Sequence, residues 1–124
     1  MSTTIASLRS AARTALAAHS LRLDDVWGGQ PPYVVMFNGG TDFTEMYTRD
    51  GKQVRMGFRL TLVESKATEA LSNTAMGTDV VNLVAAAIAM HVRLDGLSPD
   101  QVRDVAGVSH WTADLNVSAL VTIP

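Results

Sequence analysis

The stretch Gln53-Val54-Arg55-Met56-Gly57-Phe58-Arg59-Leu60-Thr61-Leu62-Val63 alternates apolar and polar side chains, and Trp111-Thr112-Ala113-Asp114-Leu115-Asn116-Val117-Ser118-Ala119-Leu120-Val121-Thr122-Ile123 does so over a longer run. Side chains on an extended chain point alternately to opposite faces, so each stretch presents one apolar and one mostly polar surface. That is the pattern of an antiparallel sheet covered on one side. At about 3.3 Å per residue the first run extends to roughly 36 Å, while a compact domain of this size is about 35 Å across. A strand of that length crosses the whole domain, bends or protrudes. Where its far end lacks chain to pair with, it offers an edge to which another chain adds. A long bent strand inside a monomer is the alternative.

Before the first run, residues 43–48 form a weaker strand candidate, and Arg49-Asp50-Gly51-Lys52 is a strong turn because Asp-Gly accepts the positive φ of tight hairpins. A hairpin into the long strand is expected. Residues 33–37 read as a short buried strand that follows the breaker-rich residues 27–32 and ends at Asn38-Gly39-Gly40. Residues 4–19 are rich in helix formers, with Ile5, Leu8, Ala12, Ala15 and Leu16 on one face. Ser2, Thr3 or Thr4 would cap that helix, and His19 marks its carboxy-terminal end, where a cation suits the helix dipole.

After the first run, residues 65–73 are polar and small, and Thr78-Asp79 offers a cap for a helix to about Arg93. Its stripe would be Val80, Val84, Ala87, Ile88 and His91. Ser98-Pro99-Asp100-Gln101 has the form of a capping box with proline at the first helical position. A short helix fits there, and an edge strand over residues 101–108 fits as well. The order of elements predicts a single α+β domain spanning residues 1–124, with an antiparallel or mixed sheet, helices packed on one face, and long strands or a hairpin extending to neighbours.

The chain has 124 residues, 47% hydrophobic and 18% charged, with a formal net charge of -2 and no cysteine. That charge gives no global reason to bind nucleic acid or anionic lipid. Without thiols, disulfides, thiolate catalysis and thiolate metal sites are excluded. The longest apolar stretch, residues 80–90, falls short of the ~20 residues of a membrane-spanning helix, and the amino terminus lacks the apolar region and cleavage site of a secretory signal. The expectation is a chain unprocessed and cytosolic when made, with no membrane partner.

Motifs that would announce catalysis are missing. His19, His91 and His110 stand in no HExxH or HxH spacing, so structural or solvated roles are expected and no metal site or cofactor is foreseen. Asp24-Asp25 reads as a solvated loop or turn. The glycines at 28, 29, 39 and 40 open no phosphate-binding loop, and there is no GxSxG or SxxK pattern. No catalytic residue is assigned and an enzyme is disfavoured; its best support would be a converging cluster of His110, Asp114 and Asp104. Arg55 and Arg59 share the polar face of the first long strand, as a solvated face or as a contact for an acidic neighbour or passing DNA.

The amino-terminal helix, the Pro-Pro-Tyr-Val-Val-Met strand, the hairpin into Val-Arg-Met-Gly-Phe-Arg-Leu-Thr-Leu-Val, the Ala-rich helix and the closing alternating strand together resemble the tail terminator proteins of long-tailed, siphovirus-type bacteriophages. The likeness lies in size and layout over nearly the whole chain, since that family has no diagnostic short motif. It implies a structural virion protein of the phage neck, a homohexameric ring that caps the tail tube and joins it to the head-side connector or stopper protein. It also implies host cytoplasm as the place of assembly, and DNA passing through the lumen without specific recognition. Under it, Arg49, Lys52, Arg55 and Arg59 would make polar contacts in the ring or lumen. The loops over residues 27–32 and 38–42, with Trp27, Asn38 and Asp42, would meet neighbouring rings, Trp27 serving either as an anchor or as core. Another head-completion protein of the neck, or a small bacterial ligand-binding or regulatory α+β domain, are the competing readings.

Overall fold

A computed structural model describes residues 4–24, 31–38, 44–47, 53–64, 69–98, 101–105 and 108–122. Helix α1 spans Ile5–Ala18, and the strands β1, β2, β3 and β4 span Leu23–Asp24, Tyr33–Asn38, Thr44–Tyr47 and Gln53–Glu64. Helix α2 spans Glu69–Ala89 and is followed by β5 (Arg93–Leu97), β6 (Gln101–Val105) and β7 (Val108–Thr122). The fold is α+β, and the sheet is mixed because β1 and β2 run parallel while every other pairing is antiparallel.

The two alternating stretches become the two central strands, paired in unbroken register from Gln53↔Thr122 to Glu64↔Trp111. That register stacks Phe58 on Val117, Leu60 on Leu115 and Leu62 on Ala113 on one face. All six side chains are buried there, together with Leu8, Ala12 and Leu16 of α1 and Met76, Leu83, Ala86 and Ala87 of α2. Thr4 caps α1: its Oγ1 accepts from the Ser7 amide at 3.1 Å, and Ser7 Oγ accepts from the Thr4 amide at 2.8 Å. His19 is the carboxy-terminal cap, as its place in the sequence suggests.

The length of β4 does not leave its far end unpaired. On the edge away from β7 its residues 58–63 pair with β2 and its residues 53–56 with β3, so two short strands in tandem flank one long one. Strand β7 is served likewise, by β6 along residues 108–112 and by β5 along 115–118. The β3–β4 pairing bears out the expected hairpin, whose turn at residues 49–52 lies outside the described residues.

Several local expectations are corrected. Helix α2 begins at Glu69, so the stretch over 65–73 is helical from Glu69 on, and Thr78 and Asp79 lie in the helix interior instead of capping it. Of the expected stripe, Ala87 is buried and Val80 and Val84 pack against the core, joined by Met76, Leu83 and Ala86, whereas Ile88 is 59% exposed and His91 is exposed too. The reason is that α2 is apolar beyond the face the sheet takes, and periodicity alone does not say where that face ends. The helix ends at Ala89, before Arg93, because His91 adopts a left-handed φ of 57° that turns the chain out of it. Residues 93–97 then form a strand that was not foreseen. Residues 101–105 are strand and not helix, since they form an antiparallel ladder with β7. Asp24, expected in a loop, belongs to the short β1, where it takes Arg22 Nε at 2.7 Å. Asn38 ends β2 opposite Phe58 instead of opening a loop.

The face of the sheet away from the helices is not the open polar surface that alternation suggests. Tyr33, Val35 and Val63 form a second buried cluster there, and Thr61, Thr112 and Ser118 are also buried. Gly77, exposed in α2, has open space where a Cβ would stand. Glycine inside a helix costs about 0.5–1 kcal/mol relative to alanine. Gly77→Ala is therefore expected to raise the unfolding free energy by that amount, as read by urea denaturation with an unchanged m-value.

Candidate functional site

The helix layer does not reach one side of the sheet. Helix α1 packs on β1 and on α2, and α2 packs on β4, β7 and the margin of β5. Every residue of β5 is exposed. Leu94 and Leu97 stand three apart, a spacing that would send them to opposite faces of a regular strand. A bulge between Leu94 and Gly96 shifts the register, so Leu94 lies across from Val117 and Leu97 across from Leu115, both core-face residues. Val102 of β6 lies across from Trp111, again on that face. Leu94, Leu97 and Val102 thus form a shelf on the helix side of the sheet, 41%, 47% and 46% exposed.

The adjoining flank of α2 continues this surface. Ala89 and Met90 line the groove against α1, so the other flank of the helix, bearing Val81, Val84 and Ile88, faces the β5 side. Val81 and Ile88 are seven residues apart, hence on one stripe, and are 67% and 59% exposed. Isolated apolar residues at a surface are ordinary, but a contiguous set is not. On the far side of α2 lies a second apolar concavity of about 560 Å³, lined among others by Ala11, Thr14, Ala15 and Ala18 of α1.

Of the residues singled out from sequence, Trp27, Asp42, Arg49 and Lys52 lie outside the described residues. Arg55 and Arg59 do share one face of β4, and they go to different surroundings. The Arg59 guanidinium stacks over the Phe37 ring, 4.5 Å from its centroid, a cation–π contact inside the subunit. Arg55 stands across from Glu45 on one side and Leu120 on the other, and lines a cavity with His91, Arg93 and Ser118.

His110 and Asp114 do not converge. The Asp114 carboxylate accepts a hydrogen bond from Thr61 Oγ1 at 2.6 Å in the interior, while His110 Nδ1 lies 3.2 Å from the Glu64 carbonyl oxygen; the Asp104 side chain is outside the described residues. Thr61→Val keeps the shape and removes the donor to a buried carboxylate. It is expected to cost about 1–3 kcal/mol in thermal or urea denaturation.

Sequence reasoning missed Glu64. It occupies the position where the alternation Phe58, Leu60, Leu62 calls for another apolar residue, and that is the signal that would have found it. Glu64 is buried, hydrogen-bonded to Asp79 of α2, and lies across from Trp111. Burial foremost, then the hydrogen bond and the negative charge of Asp79, raise its pKa to about 8. The Glu64 carboxyl therefore keeps its proton near neutral pH. Among the described residues no group of three or more His, Asp or Glu side chains is placed to hold a metal ion. Comparison with models of known protein families and with characterised protein sequences finds no match.

Proposed function

We propose that this protein is a structural subunit that assembles with copies of itself into a ring, and that it serves the neck of a long-tailed phage virion as a tail terminator, capping the tail tube and joining it to the head-side connector. The observation that carries the reading is the uncovered apolar shelf of Leu94, Leu97 and Val102 beside the Val81–Ile88 stripe. A closed ring needs two different surfaces on each subunit, because its contact is heterologous. The shelf is one, and the α1–α2 groove on the other side of α2 is the second. In the ring, the shelf of one subunit meets the groove of the next. Self-association thus rests on the β5–β6 margin, while the long central strands are satisfied within the subunit.

The test is incubation of the purified protein with purified tail tubes and, separately, with portal and connector rings. Rings seated at tube ends in electron micrographs are the expected result. Binding to portal alone would make it another neck component, and a protein that stays monomeric at high concentration and binds neither would overturn the reading.

A further inference from the structure

Strand β4 ends its row of core-facing side chains on a carboxyl. Phe58, Leu60 and Leu62 are followed on that face by Glu64, which is only 4% exposed. Its carboxyl meets that of Asp79 on α2, so the contact crosses from the sheet layer to the helix layer. Two carboxyl groups touching in the interior do not both ionise. Glu64, the deeper of the two, keeps the proton. The bond between the layers is therefore Glu64 donating to Asp79, and it lasts only while that proton does.

Two orphaned atoms lie beside this contact. Glu64 Oε2 and the indole Nε1 of Trp111 are both buried and have no hydrogen-bond partner among the described residues. Glu64 and Trp111 are directly opposed in the β4–β7 ladder, which puts their Cβ atoms roughly 5 Å apart on one face of the sheet. One atom accepts and the other donates, so each is what the other lacks. Buried polar atoms left unpaired cost free energy, and two complementary ones on facing residues call for an explanation. The other described neighbours do not compete. His110 turns Nδ1 to the Glu64 carbonyl oxygen at 3.2 Å, Val102 of β6 stands across from Trp111, and among the described residues Asp79 is the one charge acting on the carboxyl.

We propose that Glu64 is a proton-operated latch: protonated, it donates to Asp79 and ties α2 to the end of β4; ionised, its carboxylate turns to the Trp111 indole N–H and lets go of α2. The proton is released to solvent and no covalent bond changes. Leu83, Ala86 and Ala87 hold the later turns of α2 in the core, so the loosening falls on residues 69–79. With the helix open, Glu64 is an ordinary carboxyl that ionises near about pH 4.3, while the latched group holds its proton to about pH 8. Latching is therefore strongest below about pH 4.5, weakens about tenfold per pH unit up to about pH 8, and levels off above it. The device lies within one subunit and stands independently of the ring reading.

The test is two-dimensional NMR of the full chain from about pH 5 to 9.5, with the Trp111 indole signal assigned through Trp111→Phe. That signal is expected to titrate with a single midpoint near pH 8. Glu64→Gln should abolish the titration, because glutamine keeps the donor to Asp79 and cannot ionise. Asp79→Asn should lower the midpoint by about one unit or more, because it removes the negative charge that opposes ionisation. Amide hydrogen exchange over residues 70–79, taken as the ratio of parent to Glu64→Gln, should rise about tenfold per pH unit from about pH 5 to 8 and then level off. A buried pair with a packing role alone moves none of these. An indole signal that stays fixed, one that still titrates in Glu64→Gln, a midpoint unmoved in Asp79→Asn, or an exchange ratio flat with pH would overturn the proposal.

Discussion

Replacing Glu64 by glutamine is expected to leave stability nearly unchanged near pH 4.5 and to make the protein more stable than its parent by a few kcal/mol at pH 8.5. The folded chain holds the Glu64 proton up to about pH 8, whereas an unfolded glutamic acid releases it near its ordinary value of about 4.3. A group whose folded pKa is raised gives stability that is fully present below the unfolded pKa and is lost as pH rises through the folded one. For the parent that loss accumulates between about pH 4.5 and 8. Glutamine cannot ionise, keeps the shape, and donates its amide to Asp79 as the protonated acid does. The difference between variant and parent isolates this pair from every other carboxylate. Urea denaturation of both proteins at a series of pH values measures it. A difference that stays flat from pH 4.5 to 8.5 would mean that Glu64 does not hold a proton in the fold.

Glu64 also marks the boundary of what the sequence carries. Alternation at Val54 to Leu62 and Trp111 to Val121 was enough to place the two central strands and the helix-covered face, because period-two burial is set locally by the pleat. The ends of α1 were legible for the same reason, with His19 as the carboxy-terminal cap and the amino-terminal cap narrowed to Ser2, Thr3 or Thr4, because caps act within a few residues of themselves. What was not legible depends on partners distant in the chain. The strand over Arg93–Leu97 has no alternation of its own, since its bulge resets the faces and its register comes from β7. Residues 101–105 carry capping chemistry just before them, yet hairpin pairing with β7 overrides it. The face of α2 was legible in part: Val80, Val84 and Ala87 of the expected stripe do pack in or against the core, Met76, Leu83 and Ala86 join them, Ile88 does not, and only contact with the sheet decides where the face ends. The same contact leaves Val81 and Ile88 in water. Arginines and loops were the surface features singled out from the sequence; the apolar shelf that helix orientation and strand register build together was not.

Leu94→Glu with Leu97→Glu is expected to abolish assembly while leaving the fold intact, since both side chains are exposed in the subunit. Burying two carboxylates against an apolar partner surface costs roughly 2 kcal/mol or more each, which weakens the contact by at least about 100-fold. Thr14→Arg with Ala18→Arg should do the same from the opposite side, because both positions are exposed and line the α1–α2 groove. Mixing the two variants separates a head-to-tail ring from every other kind of association. Each variant alone retains one good surface and has nothing to dock it on. Together, the intact shelf of the groove variant fits the intact groove of the shelf variant, and exactly one contact forms per pair. The mixture should therefore give heterodimers and no larger species under conditions where the parent forms rings, as light scattering or native mass spectrometry would show. A two-fold contact made by the shelf with itself predicts otherwise: the groove variant alone would still dimerise, and mixing would add nothing. Rings formed by the shelf variant would remove the β5–β6 margin from the interface altogether.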